Sequence, residues 1–312
     1  MRVALLFPGQ GAQVPGMGRG LVDAKVQPTL LRLADEAGLP LGQLLLEGSA
    51  DQLRKTEVAQ PALFYCGVAL AEILLQGGLE PVAAAGHSLG EYGAVVAAGA
   101  LEAEEGMRLV LERGRLMAQA RQGTMAAVLG LELAQVEELC RVAALPGEVC
   151  VVANDNAPGQ VVISGTSPAL AELSARAREA GARRVVELKV SGAFHSPLMA
   201  AAQADFRPRL ARACWTEPRF PVAAGLTGSL SLSADQVRLG LEGQLVGRVR
   251  WAEAVRALAE AGAECFLECG PGSTLTSLSR RIVPQLAAEA VGSPADARAW
   301  LERHPGGGAG GP

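Results

Sequence analysis

One serine sits between two glycines in Gly86-His87-Ser88-Leu89-Gly90. The apolar run "EPVAAA" precedes it and the small-residue run "EYGAVVAAGA" follows. The first reads as a buried strand and the second as a helix, so the chain must turn sharply inside the pentapeptide. Side chains at the two glycine positions would collide across such a turn. A buried strand that feeds straight into a helix belongs to a parallel sheet with helices on its faces.

The same rhythm recurs along the chain. "RVALLF" is a strand that ends in the Gly-rich loop "PGQGAQVPGMG", and helical periodicity follows over Pro28–Ala37 and through "QPALFYCGVALAEILLQGG". The charged segment "EAEEGMRLVLERGRLMAQARQG" reads as another helix. From Gly123 the pattern becomes strand, helix, two strands joined by an Asn/Pro/Gly turn, helix and strand, ending in "ARRVVELKV". That βαββαβ order is the split-βαβ, ferredoxin-like unit. The reading is an α/β chain with two parts. Residues 1–122 and 190–304 form a discontinuous parallel-sheet body, residues 123–189 an inserted small subdomain, and residues 305–312 a flexible Gly/Pro tail.

Composition limits the function. Hydrophobic residues make up 49% of the 312 and charged residues 19%, enough apolar content for a sizeable core. A net charge of −4 argues against a nucleic-acid partner. The apolar start stops at Pro8, short of a secretory h-region, and no charge-free stretch reaches the ~18 apolar residues of a membrane span. "PVAAAGHSLGEYGAVVAAGAL" comes closest in length. The six cysteines form no CxxC pair and lie in apolar runs, so they read as buried free thiols with no metal site in a reducing, cytoplasmic setting. No cofactor is expected, and the chain is expected to be a monomer.

A Ser nucleophile on a strand–turn–helix elbow needs a base. Of the three histidines, His87 adjoins Ser88 and cannot easily turn to meet it, and His304 falls near the tail. His195, in "SGAFHSPLM", is left. Asp155 is the only aspartate between Ser88 and His195, and it lies inside the inserted unit, a poor place for a triad acid. The backbone N–H of Leu89, at the start of the helix, points toward the oxygen of an attacked carbonyl. Gln10, in the loop leaving the first strand, is placed to offer a second N–H or is simply a loop residue. Glu91 complements the helix dipole. "CGPGSTL" lacks the lysine and the spacing of a phosphate loop and reads as a structural turn.

Together, "FPGQGAQVPGMG", "QPALF", "GHSLGEY", "ERGRLM", "GTMAAVLG", "NAPGQVVISG", "FHSPLM", "QLVGRVRW" and "ECGPGSTLTSL" resemble the malonyl-CoA:acyl carrier protein transacylases and the related acyltransferase domains of polyketide synthases. The resemblance covers the chain to about residue 290. It implies an α/β-hydrolase-like body with an inserted ferredoxin-like subdomain, and transfer of malonyl from malonyl-CoA to acyl carrier protein for fatty-acid synthesis. By the same resemblance Ser88 carries the acyl group and His195 is its base. Gln10 and Leu89 hold the oxyanion, Arg113 grips the free malonyl carboxylate, and Gln244 orients His195 through a carbonyl. Asn156 shapes the cleft. The places of Phe194 just before His195 and of Leu89 just after Ser88 suggest a pocket that crowds the malonyl C2, so malonyl is expected to be preferred over methylmalonyl. An arginine suits this role, because a buried carboxylate needs a partner and a guanidinium offers parallel donors. The chain departs from the family at Arg248, where proline is usual, and in "PVAAGLTG", where an asparagine is common. An acidic carrier calls for a basic dock, for which Arg207, Arg209 and Arg212, or Arg280 and Arg281, are candidates. An esterase using Ser88, His195 and Asp155 is the competing enzyme reading, and a carrier-binding protein without activity is a third.

Overall fold

In the computed structural model, which describes residues 1–305, ten strands divide between two sheets. They are β1 (Val3–Phe7), β2 (Ala83–Gly86), β3 (Thr124–Leu129), β4 (Cys150–Ala157), β5 (Gln160–Gly165), β6 (Arg184–Glu187), β7 (Val222–Ala223), β8 (Leu230–Ser231), β9 (Cys265–Cys269) and β10 (Ala287–Val291). The larger sheet runs β10-β9-β1-β2-β7-β8, parallel except for the β7–β8 hairpin at one edge.

Both faces of this sheet are covered, which is why β1 is apolar throughout. Val3, Leu5 and Phe7 join one core with the long helix Thr56–Gln76, while Ala4 and Leu6 face Trp251, Val255, Leu258 and Leu278 on the other side. Successive strand residues point to opposite faces, so β1, buried on both, offers apolar surface at every position.

The smaller sheet runs β4-β5-β3-β6 and is antiparallel. Its order follows from the βαββαβ reading. Helices Leu133–Ala143 and Ser167–Glu179 cover one face over Val128, Val152, Val161 and Ile163. From the other face Met125, Ala153 and Val162 enter the main core, so the small sheet packs directly on the body. A parallel bridge between Asn154 and Val249 joins the two parts, with Asp155 N–H donating to Val249 O at 2.9 Å and Val249 N–H to Ala153 O at 2.8 Å.

Several expectations need correction. Among the described residues, the one helix apolar and long enough to cross a membrane is Thr56–Gln76, not the segment around Ser88, and it is mostly buried in the protein as a core helix. Cys214 is exposed, unlike the other five cysteines. His304 ends the helix Pro294–Arg303, with its ring stacked on Trp300 at 4.4 Å. Of the tail, residues 306–312 lie outside the described residues. Helices Leu41–Glu47 and Ala234–Gly243 and the strand β10 are not anticipated from the sequence.

Candidate active site

The elbow is built by close backbone approach. A Cβ on Gly86 would lie 1.9 Å from the carbonyl carbon of Gly90, and one on Gly90 would lie 2.0 Å from Phe7 O. Ser88 itself is left-handed, φ 52°, an uncommon conformation for a non-glycine residue. His87 N–H donates to Phe7 O at 3.0 Å, and Gly90 N–H to His87 O at 3.0 Å. These bonds lock β2 and the helix Gly90–Ala97 around the serine.

His195 reaches this point from the far side of the insertion. It too is left-handed, φ 58°. Ser196, fully buried, holds that turn: its Oγ donates to Ala193 O at 2.6 Å and accepts from Leu198 N–H at 3.3 Å. Two strained residues facing each other are the kind of conformation that a surrounding fold must enforce.

Ser88 Oγ lies 2.8 Å from His195 Nε2. His195 Nδ1 lies 2.9 Å from Gln244 O and 3.2 Å from Gly247 O. Carbonyls only accept, so the proton sits on Nδ1 and Nε2 is free to accept from the serine. Burial, with the Arg113 charge adding to it, holds His195 down to about 3. The imidazole is therefore neutral at physiological pH and able to take a proton. Asp155 is not among its partners; the orienting acceptors are main-chain carbonyls, so no carboxylate completes a triad.

Arg113 is 1% exposed on the helix Ala103–Gln119. Its Nη2 donates to Ser88 Oγ at 3.1 Å and to Gln244 Oε1 at 2.8 Å, and its Nη1 to Gln60 Oε1 at 2.7 Å. Its Nε is buried with no hydrogen-bond partner among the described residues. The guanidinium carbon stands 5.7 Å from the Tyr92 ring centroid, within cation–π range. Gly114 lets the helix pack close to Thr56 and Glu57. A buried cation whose acceptors are all neutral is prepared for an anion.

Gln244 does more than the sequence suggested. Its main-chain carbonyl faces His195, while its side chain joins Arg113, Ser88 O (3.0 Å) and Glu91 Oε2 (2.5 Å). Neither Leu89 N–H nor Gln10 N–H donates to an acceptor among the described residues. The Gln10 side chain donates to Thr56 Oγ1 at 3.2 Å. Phe194 is buried beside His195. Asn156 Oδ1 accepts from His87 Nε2 at 2.8 Å, which ties the small sheet to the elbow.

Three contributors escaped the sequence reading. Gln60 is fully buried and holds Arg113. Its signal was an amide set among the apolar residues of the helix's first half, with Val58, Ala59, Ala62 and Leu63 around it. Ser196 could have been suspected as a cap before Pro197. Glu91 is buried rather than a surface dipole partner: Oε2 also accepts from Gly225 N–H at 3.1 Å, and burial pushes its carboxyl up to about 7. The two departures have local partners. Gly225 meets Glu91, and Arg248 pairs with Glu137 of the small subdomain at 2.6 Å. In "CGPGSTL" the amides of Leu275 and Thr276 are taken by Glu268 at 3.1 and 2.8 Å, so the turn has structural partners. No group of three or more His, Cys, Asp or Glu suited to a metal ion occurs among the described residues.

The malonyl CoA-acyl carrier protein transacylase of Escherichia coli (strain K12) is 38% identical over 305 residues, 96% of this chain and 98% of that protein. The polyketide biosynthesis protein ThaF of Burkholderia thailandensis is 44% identical over 287 residues, but the chain spans only 24% of its length. A solved structure of a malonyl-transacylase in complex with its type II PKS acyl-carrier protein superimposes with a TM-score of 0.92 at 36% identity, covering 97% of this chain and 100% of that one. The acyl transferase domain family matches residues 4–295. With a serine elbow, a neutral histidine and a buried arginine meeting on one oxygen, the chain belongs to that acyl transferase domain family.

Proposed function

We propose that this protein moves a malonyl group from malonyl-CoA to the phosphopantetheine thiol of an acyl carrier protein, for fatty-acid or polyketide synthesis. One observation carries the reading: Ser88 Oγ is shared by His195 Nε2 at 2.8 Å and Arg113 Nη2 at 3.1 Å. A nucleophile, its base and a carboxylate receptor thus converge where an acyl group with a free carboxylate would be attached.

In this reading His195 takes the Ser88 proton as Oγ attacks the thioester carbonyl. The N–H groups of Leu89 and Gln10 receive the oxyanion. CoA leaves as a thiol, protonated by His195, and a malonyl ester stays on Ser88. The carrier thiol then gives its proton to His195 and attacks that ester, which returns Ser88 to its hydroxyl form. This is ping-pong covalent transfer. Arg113 holds the malonyl carboxylate, Phe194 crowds its C2, Gln244 orients His195, and Asn156 steadies His87 from the small subdomain. We take residues 123–189 as that subdomain and residues 1–122 and 190–304 as the body. The protein works as a cytoplasmic monomer with no cofactor beyond its two substrates.

The test is intact-mass analysis after incubation with malonyl-CoA. One malonyl adduct is expected, absent from Ser88→Ala and discharged by a phosphopantetheinylated carrier. Failure of the wild-type protein to gain the adduct would overturn the assignment.

A further inference from the structure

The buried carboxyl of Glu91 takes no part in the steps above. It is 1% exposed, at the second residue of the elbow helix. Its Oε2 accepts from Gly225 N–H at 3.1 Å and from Gln244 Nε2 at 2.5 Å. The same Gln244 amide accepts from Arg113 Nη2 at 2.8 Å. A single primary amide therefore stands between a buried cation and a buried carboxyl, its donor toward one and its acceptor toward the other. The other partners of Arg113, Gln60 Oε1 and Ser88 Oγ, are neutral.

The groups around Glu91 leave Arg113 as its charged neighbour. Tyr92 beside it is neutral, since burial pushes the phenol well above its ordinary range. His195 is neutral as well. From the helix Ala234–Gly243, Gly240 presents no side chain. An isolated buried cation is costly, and one carboxylate held through Gln244 offsets it. A second carboxylate arriving on the same guanidinium would leave a net negative charge in a low-dielectric site. Like charges that share a site force one of them to take a proton.

We propose that Glu91 is the resting counter-charge of Arg113 and takes up a proton from solvent when an acyl carboxylate docks on that arginine. The inference rests on the malonyl reading above. The proton forms an O–H bond on the Glu91 carboxyl, and no bond of the substrate is made or broken in the exchange. Because burial already sets Glu91 at about 7, the empty site is ionised above that pH and already protonated well below it. Docking of a carboxylate therefore weakens by up to about tenfold per pH unit above neutrality and is level on the acid side. A neutral acyl group is indifferent to the same change.

Two measurements test this. In the first, the Ser88→Ala protein, which cannot form the ester, is titrated calorimetrically with malonyl-CoA in buffers of different ionisation enthalpy. Uptake approaching one proton per ligand is expected near pH ~8 and little near pH ~5.5. Acetyl-CoA should show none, and Glu91→Gln in the same background should abolish the uptake. In the second, kcat/KM for acylation of the wild-type protein by malonyl-CoA is followed against pH. Relative to acetyl-CoA it should fall above neutrality, and Glu91→Gln should flatten the difference. Malonyl-CoA bound without proton uptake, or the same uptake in Glu91→Gln, overturns the proposal alone. The acetyl-CoA comparison decides the matter if Glu91→Gln does not fold. Absence of any wild-type malonyl adduct overturns the functional reading and the proposal together.

Discussion

Gln60→Glu is the substitution that interrogates the acyl pocket most directly. In the wild-type protein Gln60 Oε1 accepts from Arg113 Nη1 at 2.7 Å, while Nε2 makes only a weak contact with Met117 Sδ at 3.3 Å. A glutamate keeps the oxygen, loses little on the sulfur side, and above neutral pH puts a carboxylate directly on the guanidinium. On the proposed reading, that carboxylate occupies the cation that receives the malonyl carboxylate. A hydrogen bond to a charged group is worth about 1.5–3 kcal/mol, and ~1.4 kcal/mol is tenfold. Loss of one such bond lowers kcat/KM for malonyl-CoA by roughly 10- to 150-fold, and full competition for the cation lowers it further. A neutral acyl-CoA has no claim on Arg113, so its acylation rate should hold or rise. The assay is single-turnover acylation of Ser88, read by intact mass, with malonyl-CoA and acetyl-CoA side by side. If Gln60→Glu keeps malonyl transfer within about threefold of wild type, Arg113 is not the carboxylate receptor.

The remaining predictions concern stability, the carrier and the acyl substituent. An unfolded His195 titrates near its ordinary 6.5 and the folded one at about 3, so stability is intact above 6.5 and is lost as pH falls toward 3, by up to about 5 kcal/mol. Glu91 acts in the opposite sense, its contribution being full below its ordinary 4.5 and lost as pH rises through about 7, by about 3 kcal/mol. Urea unfolding across pH should show both limbs, and His195→Asn should shrink the acid one; an unchanged acid limb contradicts the burial argument. For the carrier, Arg207 already pairs with Glu242, and Arg281 is held by Gln160 and Pro158 O. Lys55, Arg121 and Lys189 instead line an open cavity of about 750 Å³ together with Thr56 and Ser191. Reversing those three charges should raise the KM for carrier roughly tenfold at low salt and by less at high salt, and reversal at Arg207, Arg209 and Arg212 should do less. An equal effect of the two reversals would contradict this. Phe194→Ala should bring methylmalonyl-CoA closer to malonyl-CoA in acylation rate, and an unchanged ratio would remove Phe194 from the pocket.

What the sequence disclosed was whatever local chemistry enforces. The pentapeptide at Ser88 predicts an elbow because only glycine tolerates contacts of 1.9 and 2.0 Å, and the alternating apolar runs predict a doubly covered sheet. The long-range partners carried almost no local signal. Glu91 looked like any acidic residue in a first helical turn, because nothing nearby in sequence says that Gly225, 134 residues away, will bury it. The segment 219–228 reads as a strand and holds β7, whereas its partner β8 is two residues long, too short for periodicity to register. Gln244 is the most instructive case. Its role toward His195 runs through a main-chain carbonyl, which every residue type possesses, whereas its side chain is spent on Arg113, Ser88 O and Glu91. On the proposed malonyl reading, the amide serves the acyl-binding charge balance rather than the base. Gln244→Ala should accordingly leave His195 oriented while separating Arg113 from Glu91. Malonyl acylation should then suffer far more than acylation by a neutral acyl-CoA. Equal losses with both would return Gln244 to the histidine.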